Sequence, residues 1–183
     1  MNNGSSRAVF LDRDGVINGV QLRGGKPYPP QTLEEFYLLP GVVEACKLLS
    51  DAGFLLVVAT NQPDVGRGTQ DIEVVESMHR VMCGILPINR VEVCYDGGEQ
   101  FSAYRKPQPG MLLRAASELE IELSKSYMVG DRWRDIDCGY AAGCTTIFID
   151  YGYNEALRRQ PDFVVPDLLT AASLIMSKGE GNQ

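Results

Sequence analysis

Apolar and polar positions in this chain fall in blocks. Ala8-Val9-Phe10-Leu11 is a short continuous apolar run that ends abruptly in Asp12-Arg13-Asp14-Gly15. Phe54-Leu55-Leu56-Val57-Val58-Ala59 is a second run, closed by Thr60-Asn61-Gln62. Such runs suit strands buried on both faces of a sheet. Val91 to Tyr95, Tyr127 to Val129 and Thr145 to Ile149 read as third, fourth and fifth strands, and Phe163 to Val165 is a candidate sixth. Between them the period changes. Val42, Ala45, Cys46 and Leu49 lie at helical spacing within Gly41 to Ala52, and Gly53 closes that segment. A second helix is expected around Gln70 to Cys83. Pro109 suits the first turn of a third, with Leu112, Ala115, Ala116 and Leu119 facing inward. A fourth follows Asp131, with Trp133, Ile136 and Tyr140 as its core stripe, and Asp167 to Met176 closes the fold. Strands alternating with helices predict a three-layer, Rossmann-like α/β domain with a parallel sheet wrapped on both faces.

Two kinds of segment break the pattern. Asn18 to Pro30 carries Gly19, Gly24, Gly25, Pro27, Pro29 and Pro30, which is loop chemistry. A loop of that length directly after the first strand is expected to act as a flap over whatever Asp12 and Asp14 hold. The polar ends, residues 1–6 and 178–183, are expected to be flexible, leaving 7–177 as a single domain.

Composition narrows the function. The 183 residues are 44% hydrophobic and 22% charged, as in an ordinary soluble globular protein. The net charge of −7 speaks against nucleic acid, whose binding depends on clustered Lys and Arg. A small phosphate ester remains compatible, provided a few cations and a metal line its site. Cys46, Cys83, Cys94, Cys138 and Cys144 show no C-x-x-C spacing, which predicts buried thiols in a reducing compartment. No apolar run approaches the ~20 residues of a membrane span. The expectation is a cytoplasmic monomer acting on a small molecule, with no nucleic-acid or membrane partner.

The chemistry gathers where strands end. Residues i and i+2 of an extended backbone point the same way, so Asp12 and Asp14 converge. Two close anions need a cation or a shared proton, and hard oxygen ligands suit Mg²⁺. Taken alone, the pair could equally be a turn that holds two aspartates. In open α/β sheets, however, ligands bind outside the carboxyl ends of strands. Thr60, Asn61 and Asp131 also sit at such ends, and the cationic pair Arg105-Lys106 sits just before a helix. Carboxylates, a hydroxyl, an amide and a cation on one rim suit phosphoryl transfer through a carboxylate nucleophile.

Asp12-Arg13-Asp14-Gly15, Thr60-Asn61-Gln62, Arg105-Lys106-Pro107 and Gly130-Asp131 resemble, in order, the four motifs of the haloacid dehalogenase superfamily. Ile17-Asn18, Gly66-Arg67-Gly68, Pro109 to Leu113 and Tyr127 to Asp131 narrow the resemblance to the heptose bisphosphate phosphatases, with the histidinol-phosphate phosphatases as kin. It covers roughly residues 7 to 150. The resemblance implies a sheet order of 3-2-1-4-5, no large cap domain, and Mg²⁺-dependent hydrolysis of a small phosphorylated sugar through a phospho-aspartate. The implied substrate is a heptose bisphosphate losing its C7 phosphate. Asp12 would be nucleophile and metal ligand; Asp14 would be general acid and base, its backbone carbonyl on the metal. Thr60 and Lys106 would hold the phosphoryl group, with Asn61 and Gln62 beside them. Arg105 would contact substrate, Asp131 would bind Mg²⁺, Arg132 would lie next to the metal, and Gly15 would permit the turn.

The departures matter as well. Relatives of this kind commonly carry a zinc loop of cysteines and a histidine, but here only Cys94 survives. Asp96, Ser102 and Tyr104 stand at the other positions, so no structural zinc is expected. Gln108 replaces a histidine often found there.

Several residues have plain readings beside the functional ones. Asp131 could be a helix N-cap, Asp135 could support the metal or decorate a helix start, and Thr60 could bond its own backbone. Arg67 could hold a second anion or face water, and His79 reads as a core-edge histidine beside Ile72, Val75 and Met82. The rival functions are a histidinol-phosphate phosphatase, a polynucleotide 3′-phosphatase opposed by the acidic charge, and a non-catalytic binding module on the same fold.

Overall fold

The computed structural model describes residues 5–98 and 100–180. In chain order it contains β1 (Ala8–Leu11), β2 (Gln21–Arg23), β3 (Lys26–Tyr28), α1 (Val42–Asp51), β4 (Leu55–Asn61) and α2 (Pro63–Gly66). There follow α3 (Ile72–Ile85), β5 (Arg90–Cys94), α4 (Gly110–Glu118), β6 (Tyr127–Gly130) and α5 (Trp133–Ala142). The chain closes with β7 (Thr145–Ile149), β8 (Phe163–Val165) and α6 (Leu168–Glu180).

Six of the strands form one parallel sheet in the order β5-β4-β1-β6-β7-β8. Counting only these six, the order is 3-2-1-4-5-6, so the expected arrangement holds and Phe163–Val165 adds the sixth strand at the edge. Alternate residues of the central strands feed two cores. Val9, Leu11, Leu56 and Val58 pack with Ala45, Cys46 and Leu49 of α1 and with Ala171, Ala172 and Ile175 of α6. Ala8, Phe10, Val57 and Ala59 face the other way, onto Met111, Leu112 and Ala115 of α4 and Cys138 of α5. β1 lies between β4 and β6, where the winding reverses direction, and this opens a crevice at the carboxyl ends of those three strands.

The Asn18–Pro30 segment is more regular than its composition suggests. β2 and β3 form a separate antiparallel hairpin turning through Gly24 (φ +59°) and Gly25 (φ +74°). A two-residue hairpin turn with both central residues at positive φ favours glycine, and this is why two adjacent glycines form a hairpin here. Its strands are three residues long and mostly exposed, so they lack the apolar alternation that identifies a strand.

α5 departs from the expected stripe. Ile136 is buried, but Tyr140 is 59% exposed and Trp133 only half-buried. Guanidinium groups cover both rings from outside: Arg158 lies 3.4 Å above the Trp133 centroid and Arg159 3.5 Å above that of Tyr140. The inward face is Asp135, Ile136, Cys138, Gly139 and Ala142. Gly139 brings the helix backbone onto β6, where an added Cβ would lie 2.6 Å from that of Met128. On α3, Val75, Met78, His79 and Met82 are buried while Ile72 is 44% exposed.

Regular structure extends into both ends. Ser6 pairs with Ile121, and α6 continues to Glu180, with the Lys178 ammonium 5.2 Å from the Phe163 ring centroid. Residues 1–4 and 181–183, expected to be flexible, lie outside the described residues. Among the described residues no helix is long and apolar enough to cross a membrane.

Candidate active site

Asp12 follows β1 directly and is buried. Its Oδ1 accepts from the Arg13 backbone N–H at 2.7 Å and lies 2.9 Å from the Lys106 ammonium. Lys106 enters from the loop before α4 and is 2% exposed, which a lysine tolerates only when it is paired. Its second partner is Asp135 Oδ1, at 2.7 Å. Burial works against the lysine's charge, but Asp12 and Asp135 more than offset it and raise the pKa above its usual value. For Asp12 the balance runs the other way. Burial pushes its pKa to about 6 and Lys106 opposes that, while Asp135 and Asp14 add to it.

Asp131, just beyond β6, completes the cluster. Both its carboxylate oxygens are buried and make no hydrogen bond of good geometry, with the Tyr153 hydroxyl beside them. Burial, then Asp12 and Asp135, raise its pKa well above the ordinary carboxyl value. Carboxylate oxygens of Asp12, Asp131 and Asp135 all lie within 4.8 Å of one another. One ammonium among three buried carboxylates leaves the group short of positive charge. Two glycines make the packing possible. At Gly15 (φ +89°) a Cβ would fall 2.1 Å from Asp131 Oδ2, and at Gly130 one would fall 2.1 Å from the Asp135 Cβ. Asp135 also accepts from the Arg132 backbone N–H at 3.0 Å, so it joins the α5 N-terminus to the lysine.

Asp14 stands apart from that cluster. Its carboxylate accepts from the Arg13 guanidinium at both oxygens (3.0 Å each from Nη2), from Asn18 Nδ2 at 2.9 Å and from Gln62 Nε2 at 2.7 Å. Gln62 Nε2 also donates to Thr60 Oγ1 at 2.9 Å. Gln62, expected to contact substrate, is 4% exposed and does not line the cavity; its amide braces Asp14 and Thr60 instead. The Asn61 side chain is likewise committed within the protein. Its Nδ2 donates to the Lys106 carbonyl and its Oδ1 accepts the Lys106 N–H, both at 3.0 Å. That amide fixes the lysine-bearing loop to the end of β4, and Asn61 also lines the cavity above the acids.

Above the acids is a cavity of about 380 Å³ lined by Asp12, Asp14, Lys106 and Asp131 at its base. The hairpin contributes Lys26, Pro27 and Tyr28 to its wall. Arg67, Arg105, Arg132 and Arg134 also line it, together with Asn61 and with Asp64, whose Oδ1 lies 3.3 Å from Arg67 Nη1. Arg132 is held by Glu155 through Nε and, at 2.8 Å, through Nη2. Arg105 donates to the Asp96 carbonyl. Burial lowers its pKa first, and then so do the charges of Arg134 and Arg67, which line the same cavity. Arg134 is absent from the sequence-based site, whereas the hairpin lies where the flap over Asp12 and Asp14 was expected. The legible sign of Arg134 was the Arg-Trp-Arg spacing directly after Asp131, which puts two cations on the first turn of a helix at the rim.

His79 is buried against Arg13 and reaches no metal-ligand group. Cys94 Sγ lies 3.5 Å from Asp96 Oδ2 and 3.9 Å from Ser102 Oγ, and Tyr104 stacks on Arg114.

The sheet order, and a carboxylate-based cavity over β1, β4 and β6, define a haloacid-dehalogenase-type hydrolase. The HAD-hydrolase-like family model matches residues 103–171. D-glycero-D-manno-heptose-1,7-bisphosphate 7-phosphatase of Thermosynechococcus vestitus is 34% identical over 92% of this chain and 94% of its own length. The D-glycero-β-D-manno-heptose-1,7-bisphosphate 7-phosphatase of Pseudomonas aeruginosa is 32% identical over 94% of this chain and 99% of its own. Among solved structures, the D,D-heptose 1,7-bisphosphate phosphatase of B. bronchiseptica, complexed with magnesium and phosphate, superposes with a TM-score of 0.78. It is 26% identical and covers 94% of this chain and 99% of its own. The chain belongs to the heptose-1,7-bisphosphate 7-phosphatase family of HAD-like hydrolases.

Proposed function

We propose that this chain is a Mg²⁺-dependent phosphatase that removes the 7-phosphate of D-glycero-D-manno-heptose 1,7-bisphosphate through a phospho-aspartate on Asp12. The observation that carries the reading is the pairing of Asp12 with a buried lysine, beside carboxylate oxygens that make no hydrogen bond of good geometry. Asp12 attacks phosphorus, and its bond to phosphorus replaces that to the sugar oxygen. The Lys106 ammonium and the Thr60 hydroxyl hold the phosphoryl oxygens as charge accumulates. Asp14 gives its proton to the departing sugar oxygen. It then takes one from the water that cleaves the acyl phosphate and restores Asp12.

The cluster fits a divalent cation. Two buried oxygens on Asp131 without a hydrogen-bond partner of good geometry, next to an Asp12 whose pKa is raised by burial first and then by Asp135 and Asp14, are what a hard ion relieves. Asp12, Asp131 and the backbone carbonyl of Asp14 would hold Mg²⁺, which neutralises carboxylate and phosphate charge so that anion can meet anion. Asp131→Asn tests the fit without turnover. In chelator, its Tm should equal or exceed that of wild type, because a buried uncompensated charge is gone. Mg²⁺ at ~100 times its Kd should raise the wild-type Tm by about 5–10 °C and leave the variant unmoved. Scanning fluorimetry showing the same shift in both would refute the assignment.

The cationic rim favours a bisphosphate. A second phosphate beyond the reacting one would meet Arg67, Arg105 and Arg134. Histidinol phosphate carries an ammonium there, which the rim would repel. Arg67→Ala and Arg134→Ala should each raise KM for a sugar bisphosphate by about tenfold or more, since charge-assisted hydrogen bonds contribute ~1.5–3 kcal/mol. KM for the corresponding monophosphate should hardly move. A phosphate-release screen over sugar bisphosphates, monophosphates and histidinol phosphate, with Mg²⁺ and after chelation, tests the whole reading. Preference for histidinol phosphate, or indifference to chelator, would overturn it. The reading includes a monomer without structural zinc: one thiol, Cys94, is short of the ligand set such a site requires.

A further inference from the structure

His79 is the only histidine in the chain, is buried on α3, and takes no part in the reaction above. It faces Arg13, whose side chain is fully buried between the two motif aspartates. The Arg13 guanidinium is forked over Asp14, and its Nη1 lies 3.1 Å from His79 Nε2. A guanidinium has only donors to offer, so Nε2 must be the acceptor and the ring proton must sit on Nδ1. That geometry requires a neutral ring. Burial first, then the charge of Arg13, push His79 down to about 4, while Glu76 and Asp14 pull the other way. Behind the ring, Glu76 Oε1 lies 3.6 Å from Nδ1 and accepts the Tyr95 hydroxyl. Arg13, Asp14, Glu76 and Tyr95 are thus the charged and titratable groups around this contact.

With no acceptor at Nε2, a buried guanidinium N–H would be left without a partner, which is costly in a dry interior. Turning the fork to satisfy it would pull the other two nitrogens off Asp14. We infer that neutral His79 is a positioning residue: acting through Arg13, it holds the Asp14 carboxyl in the orientation from which it protonates the leaving oxygen. The inference deepens the phosphatase reading and rests on it.

The test exploits leaving groups. A sugar alkoxide needs a proton to depart and a nitrophenolate does not, so a misplaced acid harms only the first ester. In the untagged, Mg²⁺-loaded enzyme, His79→Phe should lose about tenfold or more in kcat/KM on a sugar bisphosphate, out of the ~10²–10⁴-fold a positioned acid supplies. On 4-nitrophenyl phosphate the loss should stay below about threefold. His79→Gln, which keeps an acceptor near Nε2, should recover most of the difference. Equal losses on both esters, or none on either, would overturn the inference. A wild-type protein inactive on both would instead fail the phosphatase reading and take the inference with it. Nitrogen NMR of the histidine in wild-type protein needs no variant. A neutral Nδ1–H ring at neutral pH is expected, and an Nε2–H or doubly protonated ring would count against the proposal.

Discussion

Asp12→Asn should release no measurable phosphate, with turnover lower by at least about 10⁴-fold, the scale on which enzymes lose activity with their nucleophile. An amide of the same shape keeps the contact to the Arg13 N–H but has no anionic oxygen to form the acyl phosphate. The variant should still fold, because Asp12 is a buried carboxylate whose pKa burial pushes to about 6. Mass spectrometry after rapid acid quench should detect a phosphorylated wild type and an unmodified variant. Undiminished phosphate release from Asp12→Asn would sustain the rival view of a binding module with incidental activity.

Lys106→Met has the largest expected effect on stability, and its size depends on pH. The ammonium lies between Asp12 and Asp135, at 2.9 and 2.7 Å. Removing it leaves two buried carboxylates face to face, and breaking a buried pair in this way costs about 3–5 kcal/mol. Asp12 already has a raised pKa, and Lys106 is the group that lowers it, so in the variant the pKa rises further. A carboxyl with a folded pKa above its unfolded value of 3.8 favours the native state when protonated. Its contribution is therefore complete below that value and is lost as pH rises through the folded pKa. The metal-free variant should approach wild-type stability near pH 5 and fall furthest behind at pH 8. Urea denaturation at both pH values measures this, and an equal deficit at the two would contradict the account. Turnover should also fall, by ~10²–10³-fold, as when one fixed donor is withdrawn from a developing charge.

The parts that sequence reasoning placed correctly are those in which one physical cause dominates. Ala8–Leu11 and Leu55–Asn61 are strands because continuous apolar runs have nowhere to go but a doubly covered sheet. Asp12 and Asp131 meet because a parallel sheet delivers its strand ends to one rim, and Asn61 at the end of β4 ties the loop that carries Lys106 to the same rim. The failures come where two causes compete. The β2–β3 ribbon is exposed, so its residues carry no buried face to reveal a period of two. Trp133 and Tyr140 share a helical stripe with Ile136, yet the stripe looks outward at both ends because Arg158 and Arg159 lie over the rings. That cover comes from a stretch with no regular structure, whose path no periodicity encodes. Asn61 and Gln62 were placed on the correct strand end, where Asn61 lines the cavity and Gln62 turns onto Asp14 and Thr60. An amide serves a ligand or the chain equally well, and only coordinates show that each is spent on a motif partner.

The hairpin that walls the cavity is built of two three-residue strands outside the main sheet, with Gly24 and Gly25 at an open tip. A ribbon of that size has little stability of its own, and an exposed glycine tip is where proteases cut first. Scission between those two residues would leave the stubs anchored at Asn18 and Pro30, both buried, and the catalytic cluster untouched. A nicked form thus offers a way to weigh what Lys26 and Tyr28 contribute without altering a single side chain.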